Sequence, residues 1–190
     1  MDATQIDLTN VSSDDDAYDD SETSFRRPGG QLNDKDVFDS IHRAIGHLPD
    51  VVLIDPLLFS QMKKKLMELL QNYGKDVNIT RILIPYGRPG HWAAIGLLRV
   101  EHGHGWIRGG IGERERRRHT LDDILDCAGI TPRSNFRCPV RSQHSQECGA
   151  RTAMFLRWFG NCDRPESKSW LQYCKKEFYD DVNELFTCLE

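Results

Sequence analysis

The chain has 190 residues, 38% hydrophobic and 28% charged, enough for one soluble domain with a sizeable core. Its formal net charge of −4 gives no general attraction to nucleic acid, and no apolar run approaches the roughly 20 residues of a membrane helix. The N-terminus shows no basic segment followed by an apolar one, so no secretory signal is expected.

The acid is concentrated at the start. Residues 1–24 hold eight of the 29 acidic residues and no Lys or Arg, which leaves 21 acidic against 25 basic residues in the remainder. Residues 1–30 are expected to be a disordered acidic tail, since they bury too little apolar surface to offset the entropy of ordering. Ile6, Leu8 and Val11 stand out in "IDLTNVSSDDD", because a purely solvating tail has no use for them. One domain is expected over 31–190.

Its first element is a helix in "QLNDKDVFDSIHRAIGHL", with Val37, Ile41, Ala44, Ile45 and Leu48 at helical spacing and Asn33 or Asp34 as cap. "PDVVLIDP" predicts a short buried strand. "LLFSQMKKKLMELLQNYG" predicts one helix through Leu58, Met62, Leu66 and Leu69, stopped at Gly74. "VNITRILIPYG", "HWAAIGLLRV" and "GWIRGGI" predict three more strands, the last two joined as a hairpin by "EHGHG". "RERRRH" (114–119) reads as a solvated loop, and "TLDDILDCAGI" as a helix capped by Thr120. "FRCPVRS" predicts a short strand, and "CGARTAMFLRWFG" a buried helix ending at Gly160. A last helix from Asp163 and Pro165 would carry Trp170, Cys174, Phe178, Val182 and Leu185 on one face. The order of elements is mixed α and β, and we find no internal repeat.

The six cysteines include no CxxC pair, so no zinc site or other metal centre is expected. Free thiols in a reducing compartment are the expectation, with a location in the nucleus or cytoplasm. Five of the six read as small buried hydrophobes. Cys148 differs, because "QHSQECGA" places it between a polar segment and an apolar helix. A helix N-terminus favours a thiolate through its dipole and its unpaired N–H groups. Gly149 lets the backbone approach a substrate carbonyl, and Gln143 can offer an amide to an oxyanion. His91 in "GRPGHWAAIG" opens a strand after a Pro/Gly loop, which makes it the best candidate for the base. A structural cysteine and a surface histidine are the plainer readings of the same residues.

With these residues in place, the chain resembles the ubiquitin-like protein (SUMO) protease family, in the clan that includes adenovirus protease. "QLNDKDVFDSI" is similar to the family's opening W-L-x-D-x-x-I segment, with Gln31 where the aromatic usually stands. "VVLIDPLLFSQM" resembles its strand and following helix start. "RILIPYGRPGHWAAIGLL" resembles its I-P-x(n)-H-W strand, and "QHSQECGARTAMFL" its Q-x(n)-D-C-G signature. The resemblance implies an α+β fold of the papain-like, SUMO-protease type, with a central mixed sheet flanked by helices. It implies His91 as general base, Cys148 as nucleophile and Gln143 as oxyanion donor. Trp92 would line the channel for a modifier's Gly-Gly tail, Asp34 would contact that tail, and no cofactor is needed.

Two features depart from the pattern. The spacing from Gln143 to Cys148 is one residue shorter than usual, and Ser142 stands at the usual position. No carboxylate occupies the place of the family's third acid. Arg108, Gly109 and Gly110 stand there, and Glu113 is the nearest acid beyond it. The alternatives are that Glu113 swings back through a glycine bulge, or that His91 and Cys148 act as a dyad.

In this light Ile6, Asp7, Leu8 and Thr9, followed by "SSDDD", resemble a SUMO-interacting motif. A short β-prone segment adds to a sheet edge, Ile6 and Leu8 fill alternate pockets, and the trailing acids meet a basic rim. The expected function is cleavage after the C-terminal Gly-Gly of SUMO or a related ubiquitin-like modifier. The expected partners are that modifier and its conjugates, with no nucleic acid and no membrane, and the chain is expected to be a monomer. The competing readings are a deubiquitinase or viral-type protease, an acetyltransferase on the same fold, and a catalytically weakened SUMO-binding module.

Overall fold

The apolar run that begins at His91 becomes the middle strand of a five-stranded sheet. In a computed structural model of the chain, the described residues are 34–88, 91–100, 105–138 and 148–187. The strands are β1 (Val51–Leu53), β2 (Arg81–Arg88), β3 (His91–Arg99), β4 (Trp106–Ile111) and β5 (Pro132–Arg137), and they lie in chain order. β3 pairs antiparallel with β2 and with β4, while the outer pairs β1–β2 and β4–β5 are parallel. The sheet is mixed and flanked by helices, as expected.

Both faces of β3 are covered, which explains its continuous apolar run in place of alternation. On one face Trp92 and Ala94 pack under α5 (Cys148–Asn161), which in turn packs on α1 (Asp34–Ile45). Gly96 lies on this face, where any Cβ would run into the ring of Phe159. The missing side chain is what lets α5 lie close on the sheet. On the other face Ala93, Ile95 and Leu97 meet α2 (Pro56–Gln61), α3 (Lys63–Lys75) and α4 (Glu115–Cys127). α1 buries Val37, Ile41 and Ile45 at the spacing that predicted it.

Several boundaries differ from expectation, each for a local reason. The single helix expected over 58–74 is two, broken at Met62, whose φ of −138° and ψ of 52° are not helical. Asp55 caps the first through Leu57 N–H, with Pro56 at its first position. Met62 is exposed; Gly74 lies inside α3, one residue before its end. α4 starts at Glu115, so most of "RERRRH" is helical and the N-cap is Arg114, not Thr120. Arg and Glu are good helix formers, and the Thr120 hydroxyl donates to the Arg116 carbonyl one turn back. β5 covers "PRSNFR" and ends before Cys138. It is a largely exposed edge strand, and its polar residues carry no alternation to detect. The final helix is also two, α6 (Ser167–Lys176) and α7 (Phe178–Thr187). Trp170, Cys174, Phe178 and Val182 still share one cluster, and the side chain of Leu185 is outside those described.

One polar group sits within the second face. Arg108 on β4 is only 3% exposed. Its guanidinium donates to Glu113 at 2.5 Å and to Asp122 of α4. Glu113 also accepts from the Tyr86 hydroxyl at 3.1 Å. The network ties β2, β4 and α4 together. Burial pushes the Glu113 carboxyl above its ordinary value, and Arg108 and then Tyr86 pull it back. Burial, with Glu113 beside it, pushes the Tyr86 hydroxyl up in turn.

Arg108→Met should therefore strand a buried carboxylate and cost about 3–5 kcal/mol at neutral pH. A raised folded value means that the stabilising form is the protonated one. Its contribution is complete below the unfolded carboxyl value, about 4.3, and is lost as pH rises through the folded value. The deficit of Arg108→Met should be largest near neutrality and shrink on acidification, as read by urea unfolding at about pH 5 and about pH 7.5. Equal deficits at both would show that Glu113 is not their source.

Candidate active site

His91 is the first residue of β3 and Cys148 the first of α5, and 57 positions of sequence separate them. The packing of α5 on β3 closes that gap. The Trp92 backbone N–H donates to Cys148 Sγ at 3.3 Å. The cysteine thus touches the residue next to His91. Cys148 is 5% exposed and Trp92 is 7% exposed, and both belong to the buried cluster on this face of the sheet. α5 has 14 residues, long enough for its N-terminal N–H groups to act on a group at its first position. The Trp92 N–H adds a donor to the sulfur from the side of the strand.

His91 is half-buried, and its Nε2 lies 2.7 Å from the carbonyl oxygen of Gly112. Gly112 follows the last residue of β4, and its φ of +68° turns the chain there. This contact had no counterpart among the sequence expectations. The signal available was the glycine that ends "WIRGGIG", a position suited to a left-handed turn.

Glu113 was the nearest acid by sequence, and the structure gives its carboxylate to Arg108 and Tyr86. That cationic partner, Arg108, comes from β4 itself. β3 and β4 stay in register to the Ala94–Ile111 pair, so the glycines do not bulge the strand between them. Gly110 instead leaves space that the Glu113 side chain fills.

Gln143 and Ser142 lie outside the described residues, as do Ile6, Asp7, Leu8 and Thr9 of the tail. Asp34 opens α1, and its side chain is outside those described. Cys138 immediately follows β5, and burial pushes its thiol well above the ordinary value, so it is poorly suited to act as a nucleophile. Among the described residues, no group of His, Cys, Asp and Glu could hold a metal, and no helix is long and apolar enough to cross a membrane.

The chemistry available is nucleophilic: a thiol at a helix start, with an imidazole on the adjoining strand. No protein-family profile and no curated protein matches the chain. Solved structures do. The SUMO protease Ulp1 with its catalytic cysteine oxidised to a sulfenic acid has 14% identity over 84% of this chain and 80% of its own, with a TM-score of 0.54. The central domain of Lpg1148 from Legionella pneumophila has 15% identity over 82% of this chain and 99% of its own, with a TM-score of 0.54. XopD from Xanthomonas, described as a ubiquitin-like protein protease, has 13% identity over 80% of this chain and 99% of its own, with a TM-score of 0.51. Mixed sheet, flanking helices and a cysteine opening the helix on the histidine strand together give this chain the fold of the Ulp1-type cysteine proteases.

Proposed function

We propose that the chain is a cysteine peptidase or isopeptidase that cleaves after the C-terminal Gly-Gly of SUMO or a related ubiquitin-like modifier. The observation that carries this reading is the Trp92 N–H on Cys148 Sγ, which sets a helix-start cysteine beside the histidine of β3. A Ulp1 structure in complex with Smt3, the yeast ortholog of SUMO, has 13% identity over 82% of this chain, with a TM-score of 0.55, and it supports a substrate of this class. In the proposed reaction His91 takes the thiol proton and the Cys148 sulfur attacks the glycine carbonyl. The tetrahedral oxyanion accepts a hydrogen bond from Gln143. His91 then gives its proton to the leaving amine, and water releases the modifier from the thioester. Trp92 and Asp34 are assigned to the channel for the modifier's tail. The tail at Ile6–Thr9 is assigned to a second, non-covalent contact with SUMO, and the setting for such substrates is the nucleus or cytoplasm.

A SUMO probe ending in a propargyl group should form a covalent adduct with the full chain, and Cys148→Ala should form none while remaining folded. His91→Ala should slow turnover of a SUMO fusion by about a thousandfold or more. Adduct formation by Cys148→Ala would overturn the assignment. A ubiquitin probe that outcompetes SUMO would redirect it to a deubiquitinase. SUMO binding without any adduct would leave the non-catalytic binding module.

For the tail, deleting residues 1–25 should weaken SUMO binding about tenfold and leave the melting temperature unchanged. Replacing Ile6 and Leu8 by Ala should reproduce most of that loss. An NMR titration of the 1–25 peptide into SUMO checks the contact directly, and an absence of shifts at about millimolar peptide would remove it.

A further inference from the structure

We propose that Gly112 is a positioning residue, whose backbone carbonyl selects the tautomer of His91. The inference rests on the reading of His91 and Cys148 as a catalytic pair. His91 Nε2 and Gly112 O are 2.7 Å apart, a full hydrogen bond. A carbonyl oxygen only accepts, so the proton in this contact sits on Nε2. Neutral His91 is then the Nε2–H tautomer, in which Nδ1 carries the lone pair that can accept a proton. The bond survives that transfer, because the imidazolium still carries a proton on Nε2. Nothing has to rearrange when the charge appears.

The carbonyl is held where it is by two independent constraints on one residue. The φ of Gly112 is +68°, which an L side chain rarely adopts. A Cβ there would also stand 2.9 Å from the Trp92 carbonyl oxygen and 3.5 Å from Ala93 Cα. Both of those atoms belong to β3, immediately after His91. The glycine that turns the chain out of β4 therefore packs on the strand that carries the imidazole. The Ala94–Ile111 pair sets the register of the two strands just inside this contact. A carbonyl dipole can choose a tautomer as a carboxylate does, but it brings no full charge to the imidazolium. The expected enzyme is one with an ordered histidine and a modest turnover.

The test is a long-range proton–nitrogen correlation spectrum of the full chain with histidine labelled at both ring nitrogens, recorded where His91 is neutral. His91 should show its proton on Nε2, and Glu113→Gln should leave that pattern in place. Gly112→Ala should mix the two tautomers and lower kcat on a SUMO fusion by about tenfold or more, with KM changed less than about twofold. A proton on Nδ1 in the unaltered chain would overturn the proposal, and this needs no variant to fold. So would a folded Gly112→Ala with unchanged tautomer and kcat, or a Glu113→Gln that switches the tautomer. The function fails separately: an Nε2–H pattern in a chain that no modifier probe labels supports the orientation and removes the peptidase. Probe capture by Cys148 with the proton on Nδ1 does the reverse.

Discussion

The close approach of α5 to β3 is the constraint on which the rest of the site depends. Gly96 removes the side chain that would hold Phe159 off the sheet, and Ala94 keeps the neighbouring position small. With the helix lowered onto the strand, its first residue meets the start of that strand, and the Trp92 N–H reaches the sulfur. A larger side chain at position 96 would lift the helix and separate the cysteine from the histidine strand without altering either residue. The dense aromatic packing of Phe155, Trp158 and Trp170 on the far side of α5 holds the helix down. Such rings bury large areas and prefer tilted contacts, which makes the arrangement stiff.

The opposite face of the sheet has a different task. Arg108, Glu113 and Tyr86 form a buried polar network, joined through Arg108 to the half-exposed Asp122 of α4. A buried ion pair contributes little net stability, but breaking it is costly, so its partners are strongly committed to one another. That commitment bears on the histidine, because it fixes the Glu113 side chain to Arg108 and Tyr86. The segment from Ile111 to Glu113 thus divides its groups between two sites. The Gly112 carbonyl faces His91, and the next side chain is anchored in the network.

These two faces explain how a chain with 13–15% identity to solved SUMO proteases and related domains keeps their fold. The fold needs a buried central strand, small residues beneath a helix and a helix start beside the strand start. Each is a demand on size, polarity and backbone freedom, and many sequences meet it.

By itself the sequence determined the elements whose signals are local. The apolar spacing of Val37, Ile41 and Ile45 marked α1, the unbroken run after His91 marked a strand, and the polar-to-apolar step at Cys148 marked a helix start. His91 and Cys148 could be singled out because strand starts and helix starts have compositional signatures. The break at Met62, the early start of α4 and the polar edge strand β5 were not legible, since packing overrides weak local preference there. Only the tertiary structure decided which groups meet. The pairing of Glu113 with Arg108, and the approach of the Gly112 carbonyl to His91, depend on strand register and on a positive φ. A carbonyl is present at every residue, so no letter of the sequence can announce the one that is aimed at the imidazole.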